Sequence, residues 1–97
     1  MPRYYPAVIE RGTGGFGVFF PDLPGCTSAG STIQDAARNA EEALQAHLDL
    51  MAKHGEPIPN ASELDGLQLE ADIDAVAWLL VRAEMPATPL RLQRSPA

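Results

Sequence analysis

The sequence has a single cysteine, Cys26, among its 97 residues. One cysteine cannot form an intrachain disulfide, which excludes the small secreted scaffolds that depend on disulfides for stability. No apolar run approaches the roughly 18 residues that a membrane-spanning helix needs. The N-terminal residues also lack the apolar core of a secretory signal. We therefore expect a cytoplasmic protein without membrane contact.

Basic residues are also scarce, since seven Lys and Arg stand against 13 Asp and Glu, for a formal net charge of −6. This balance argues against stand-alone nucleic-acid binding, because a phosphate backbone requires clustered cations. A chain of 97 residues has room for one domain, which excludes two-domain enzymes and α/β barrels. We expect a single domain over residues 1–97, with a core over about residues 3–85 and a mobile tail over residues 86–97.

The acidity is concentrated in residues 56–84, which contain seven carboxylates and one arginine and so equal the whole net charge. A solvated acidic loop that keeps the protein soluble would explain this segment. A patch that attracts a basic partner and speeds its docking would explain it as well. The candidate residues for such a patch are Glu63, Asp65, Asp72 and Asp74.

Apolar and β-branched runs predict four strands, over residues 4–10, 15–20, 27–30 and 74–85. Apolar residues at helical spacing predict a helix over residues 33–54, with Thr32 as its N-cap and Gly55 just past its end. The order β-β-β-α-β predicts an α+β fold in which one long helix covers one face of a mixed sheet. We expect a right-handed crossover to place the last strand parallel to the first.

Two loop motifs are interpreted as structural. In the first, Leu23-Pro24-Gly25-Cys26 fits a type II turn with proline and glycine at its central positions. This turn belongs to the run Pro21, Asp22, Leu23, Pro24, Gly25 and Cys26. In the second, residues 12–17 match the dinucleotide-binding pattern G-x-G-x-x-G. That pattern requires a helix after the glycines, whereas a strand is predicted here, so these glycines are assigned to a tight turn.

The predicted strands are apolar on both faces, although one helix can cover only one face of the sheet. An exposed apolar face marks an association surface. We expect the second face to be buried in a homo-oligomer, either a dimer or a tetramer, or against another partner. The candidate residues of this face are Tyr4, Val8, Phe19, Leu79 and Val81. The alternative is that residues 56–72 and the tail cover it.

Groupings of residues that support catalysis or metal binding are missing from the sequence. Cys26 has no histidine near it in the sequence that would lower the pKa of its thiol. His47 and His54 are seven residues apart, without a cysteine or carboxylate at ligand spacing. We therefore predict no catalytic residues, no cofactor and no metal, and expect that the protein is not an enzyme.

Several of these motifs resemble the HicB family of bacterial antitoxins. They are the two N-terminal strand runs, the Pro-Asp-Leu-Pro-Gly-Cys run, and Gly-x-Thr at residues 30–32 before an alanine-rich helix. The resemblance covers roughly residues 3–60, and residues 74–85 fit the family's last strand. It implies a partial ribonuclease-H-like fold. It also implies a function: neutralising a HicA-type toxin, a small basic ribonuclease that cuts mRNA, by covering its active site.

The sequence departs from the family pattern at its C-terminal end. Members often carry a ribbon-helix-helix or helix-turn-helix module that binds operator DNA, and the twelve residues after Met85 leave no room for either. We therefore expect no direct DNA binding. Ribonuclease H chemistry needs carboxylates in the middle of the first strand, where this chain has Pro6, Ala7 and Val8. The alternative function is an orphan HicB-like oligomeric binding or scaffold domain without a toxin. A metal-dependent ribonuclease is the least favoured function.

Overall fold

The structure of the protein is a computed structural model that describes residues 2–69 and 73–86. Its elements, in chain order, are β1 (Pro2–Gly12), β2 (Gly15–Phe19), β3 (Thr27–Gly30), α1 (Ile33–Lys53), a 3-10 helix (Leu64–Gly66) and β4 (Ala75–Glu84). This order confirms the predicted α+β class and its β-β-β-α-β sequence of elements. The candidate residue Asp72 and the predicted tail beyond residue 86 lie outside the described residues.

The four strands form one sheet in the order β3-β2-β1-β4, and every neighbouring pair is antiparallel. The prediction that the last strand runs parallel to the first in a mixed sheet is therefore wrong. A helix that directly connects two strands brings the chain back to the end of the sheet at which a parallel strand would start. Here α1 runs toward the end of β4, where Gln45 contacts Glu84, so β4 starts at the opposite end of the sheet. Asp74 therefore lies beside the end of β1, where its carbonyl accepts the Arg11 N–H at 3.0 Å.

Helix α1 begins and ends at the caps that its sequence predicts. The Thr32 hydroxyl accepts a hydrogen bond from the Asp35 N–H at 3.0 Å, which satisfies one of the free donors of the first turn. At the other end, Gly55 has a φ of 70° and donates to the Ala52 carbonyl, and Glu56 N–H donates to the Met51 carbonyl at 2.9 Å. These two bonds form a Schellman motif, which requires a left-handed residue at Gly55.

The hydrophobic core lies between α1 and the face of the sheet that α1 covers. Leu44 and Leu48 of the helix are completely buried there. The buried core also contains Tyr5, Ala7, Ile9, Val18, Phe20, Leu23, Cys26, Ala36, Ala40, Val81 and Ala83. The helix approaches β3 so closely that a Cβ at Gly30 would collide with the backbone of Ala36. Gly30 is therefore required by packing.

Candidate functional site

The turn after β2 closes one end of the core. The Cys26 N–H donates to the Leu23 carbonyl at 2.9 Å, and Gly25 has a φ of 90°, so the type II turn predicted for this segment is confirmed. The side chains of Leu23 and Cys26 are buried in the core, while Pro24 and Gly25 are exposed. The turn thus places two apolar side chains inward and leaves Asp22 at the surface edge.

Asp22 holds the acidic segment in place. Its carboxylate accepts hydrogen bonds from the Ser62 backbone N–H at 2.7 Å and from the Ser62 hydroxyl at 2.6 Å. The same segment is held by the Tyr5 hydroxyl, which donates to the Pro59 carbonyl at 2.7 Å. From the sequence, Asp22 is predicted only as part of a turn. No sequence signal indicated its partner, because the two residues are 40 positions apart.

The candidate acidic residues lie in two separate places. Glu63 and Asp65 are exposed and flank the first position of the 3-10 helix, directly after the residue that Asp22 holds. Asp74 instead forms an ion pair with Arg11 at 3.4 Å, and both side chains are more than half exposed. The Arg11 guanidinium offsets the charge of Asp74, whereas Glu63 and Asp65 form no ion pair in the part of the chain that the structure describes. The structure therefore supports one exposed acidic pair, Glu63 and Asp65.

Strand register determines which apolar residues share the second sheet face. Val8 lies opposite Phe19 on β2 and opposite Trp78 on β4. Because directly opposed residues point to the same side of a sheet, these three side chains share a face, and Tyr4 lies on it by alternation. We call this surface the outer face, formed by Tyr4, Pro6, Val8, Phe19, Trp78 and Leu80. The placement of Tyr4, Val8 and Phe19 on a common face is as predicted.

The assignment of Leu79 and Val81 to the outer face is wrong. They lie opposite Ala7 and Tyr5, whose side chains are in the core, and Val81 is itself a core residue. The adjacent residues Trp78 and Leu80 occupy the outer face instead. β4 is apolar on both faces, so its sequence did not indicate which set of side chains faces the helix.

The outer face is an exposed apolar surface. Tyr4 is 50% exposed, Trp78 41% and Leu80 49%, whereas Val8 is fully buried between its two aromatic neighbours. Residues 56–72 were the predicted alternative cover. Of their described part, Ile58 and Ala61 pack against the core on the helix side of the sheet. An apolar surface of this kind marks a site of association.

The remaining chemistry-bearing groups serve packing. Cys26 is buried, burial raises the pKa of its thiol, and its sulfur lies 3.8 Å from the Ala43 carbonyl oxygen.

An open hollow of about 470 Å³ is lined by residues 12–17 and 29–31. A Cβ at Gly15 would lie 2.6 Å from the Gly30 carbonyl oxygen, and Gly14 has a φ of 78°, so close packing explains Gly15 and turn geometry explains Gly14.

Within residues 2–69 and 73–86, no three His, Cys, Asp or Glu side chains are grouped to hold a metal ion. No helix in that part of the chain combines the length and apolar character needed to cross a membrane.

A family model described as the HicB-like antitoxin of bacterial toxin-antitoxin systems matches residues 5–95. The chain belongs to this family. A curated relative is an uncharacterised 14.9 kDa protein of Haemophilus phage HP1, which is 39% identical over 61 residues. That match covers 63% of this chain and 46% of the phage protein, so the HicB-like chain spans about half the length of this relative.

Solved structures of HicB antitoxins share the fold. The N-terminal domain of Burkholderia pseudomallei antitoxin HicB has a TM-score of 0.66 and 32% identity, over 84% of this chain and 95% of that domain. A chain of the HicA3 and HicB3 toxin-antitoxin complex has a TM-score of 0.61 and 29% identity, over 90% of this chain and all of that chain. The antiparallel sheet with one long helix is thus the fold of HicB N-terminal domains.

Proposed function

We propose that this HicB-like chain binds a small, basic, mRNA-cleaving ribonuclease toxin of the HicA type and neutralises it by covering its active site. The family match over residues 5–95 is the observation that carries the proposal. It is supported by the similarity to a chain from a toxin-antitoxin complex. The protein acts by binding, without catalysis of its own, in the cytoplasm where mRNA is cut.

The toxin docks on the outer face, and the acidic pair Glu63 and Asp65 attracts it. The exposed Tyr4, Trp78 and Leu80 supply an apolar centre, and such centres contribute most of the affinity of protein interfaces. The carboxylates act at longer range, because opposite charges on two proteins accelerate their encounter. A net charge of −6 complements a basic toxin.

The geometry of the acidic pair supports this role. Glu63 directly follows Ser62, which Asp22 holds by two hydrogen bonds. Asp65 lies within the turn in which the Gly66 N–H donates to the Glu63 carbonyl at 3.2 Å. The two carboxylates are therefore presented from a tethered part of the loop, which lowers the entropy lost when a partner binds.

The test begins at the neighbouring gene, where we expect a short reading frame for a basic protein of the HicA type. Binding of that toxin to the purified chain is then measured by surface plasmon resonance. The variant Glu63→Gln/Asp65→Asn removes the acidic pair. The control Glu42→Gln/Asp49→Asn removes two exposed carboxylates of α1 and leaves the same net charge. We expect the first variant alone to slow association by about 3–10-fold at low salt.

This difference should vanish at high salt, because about 1 M salt screens charges beyond a few ångströms. Equal effects of the two variants would remove the acidic pair from the docking surface while leaving the antitoxin function in place. Absence of any binding by the unaltered chain would instead contradict the proposed function and favour an orphan domain.

A further inference from the structure

β4 is an edge strand of the sheet. β1 lies on one side of it, and no strand among the described residues lies on the other. An edge strand presents unpaired N–H and C=O groups, which form a template for another strand. Natural proteins usually protect such an edge, so an open stretch with a defined length points to a partner.

Glu84 shows which backbone groups of β4 point to the open edge. Its N–H donates to the Gln45 side-chain oxygen at 3.0 Å, and its carbonyl accepts from the Gln45 side-chain nitrogen at 2.9 Å. Both groups therefore point away from β1. Backbone groups alternate in direction along a strand, so those of Arg82, Leu80 and Trp78 share the direction of Glu84. The register of β1 against β4 shifts only between Ile9 and Glu10, so it does not interrupt the alternation from Glu84 to Trp78.

Pro6 supports this assignment independently. It lies in the middle of β1, opposite Leu80, and has no N–H to donate. A proline is tolerated at this position because the two residues of a non-hydrogen-bonded pair direct their backbone groups away from each other. Leu80 therefore directs its N–H and C=O to the open edge.

The open stretch has a defined end. Gln45 places its side-chain amide where the peptide group of an added strand would lie, and so occupies the edge at Glu84. Across residues 2–69 and 73–86, no hydrogen bond from outside β1 reaches the backbone of Trp78, Leu80 or Arg82. Among the described residues, the edge is thus open at these three outward-directed positions and closed at the next one.

The open stretch is complementary to itself in an antiparallel alignment. With a two-fold axis at Leu80, Leu80 faces its own copy and Trp78 faces Arg82 of the second copy. The apolar side chains would then meet, and the Arg82 guanidinium, which pairs with Glu84 at 2.6 Å in the single chain, would lie beside the indole ring of the second copy as a cation–π pair. The three opposed positions exchange roughly six backbone hydrogen bonds. An axis at Arg82 would instead oppose two cations and require the edge groups of Glu84, which Gln45 occupies.

The space beside the edge also fits an added strand. A hollow of about 210 Å³ lies between α1 and β4, lined by Ala37, Arg38, Glu41 and the three residues from Leu79 to Val81. In the alignment centred on Leu80, the second copy directs its own Leu79 and Val81 to the helix side of the joined sheet. The hollow is where these apolar side chains would pack.

We propose that two copies of this chain form a dimer by pairing their β4 edges, antiparallel and centred on Leu80, so that their two sheets become one. The partner strand is that of a second copy, because the same stretch supplies the matching backbone N–H and C=O groups. It also places Leu80 against Leu80 and the cation of Arg82 against the aromatic ring of Trp78. The dimer goes beyond the proposed antitoxin function and does not depend on a toxin.

The test is analytical ultracentrifugation of the full chain without any partner, over about 1–100 µM, the range typical of moderate protein affinities. We expect a concentration-dependent dimer. Leu80→Pro removes the outward N–H and leaves the β1 pairing intact, because that N–H makes no bond to β1. It should weaken the dimer by about 100-fold or more. The control Leu80→Thr keeps the N–H and should weaken it by about tenfold or less.

Hydrogen exchange of the unaltered chain provides a readout that does not depend on a variant folding. The N–H groups of Trp78, Leu80 and Arg82 should be protected at high concentration and lose protection on dilution. A monomer throughout the concentration range would overturn the proposal. A dimer whose three edge amides exchange freely, or one that Leu80→Pro leaves unchanged, would overturn it as well.

Discussion

Replacing Asp22 by alanine should release the acidic segment from the body of the protein. The carboxylate accepts two hydrogen bonds from Ser62, at 2.7 and 2.6 Å, and Ser62 immediately precedes Glu63. A hydrogen bond to a charged group contributes about 1.5–3 kcal/mol when it is well buried. Because this contact is accessible to solvent, we expect Asp22→Ala to lower the free energy of unfolding by about 1–2 kcal/mol in total.

Two further variants separate the contributions. Asp22→Asn retains one acceptor oxygen and should lose about half as much stability as Asp22→Ala. Ser62→Ala removes the hydroxyl donor but keeps the backbone N–H, and should cost about 0.5–1 kcal/mol. The double variant Asp22→Ala/Ser62→Ala should be little less stable than Asp22→Ala, because both substitutions remove the same bond.

Urea unfolding followed by circular dichroism measures these differences, and thermal unfolding should show a midpoint lowered by about 5–10 °C for Asp22→Ala. Hydrogen exchange at the Ser62 N–H gives the local readout, since that N–H loses its acceptor. If Asp22→Ala changes stability by less than about 0.3 kcal/mol and Ser62 remains protected, the loop is held by other contacts and the reasoning is refuted.

Two other predictions follow from the packing of the core. Gly30→Ala places a Cβ against the Ala36 backbone and should lower the free energy of unfolding in urea by about 2 kcal/mol or more. The control Gly66→Ala, where nothing lies within 4 Å of the added Cβ, should be nearly neutral. Equal effects of the two variants would show that α1 and β3 can separate without cost. Burial raises the pKa of the Cys26 thiol, so the folded state favours the neutral thiol. Its contribution to stability is complete below the ordinary thiol pKa of about 8.5 and is lost as pH rises from there through the raised pKa. Cys26→Ala should therefore lose less stability than the unaltered chain as pH rises above about 8.5.

Local features of this fold could be predicted from the sequence, because they depend on neighbouring residues. Thr32 and Gly55 set the ends of α1, and Pro24 with Gly25 set the turn after β2. The direction of β4 could not be predicted, because it depends on pairing with β1, which is far away in the sequence. The same applies to Leu79 and Val81: the register of β1 against β4 decides their face, and both faces of β4 are apolar.

The candidate site divides in the same way. Tyr4, Val8 and Phe19 could be placed on one face by simple alternation. The Asp22–Ser62 contact and the Gln45–Glu84 contact could not be found, because each joins residues about 40 positions apart through polar groups that are common on any surface. The position of Pro6 did carry information, since a proline inside β1 indicates a site where the ladder needs no donor.

The proposed neutralisation of a ribonuclease toxin can be tested on the cleavage reaction itself. An mRNA is incubated with the HicA-type toxin that we expect beside the gene, and with increasing amounts of the purified chain. We expect cleavage to fall in proportion to the added chain and to stop when the two proteins are present in equal amounts. Undiminished cleavage at an excess of the folded chain would contradict it.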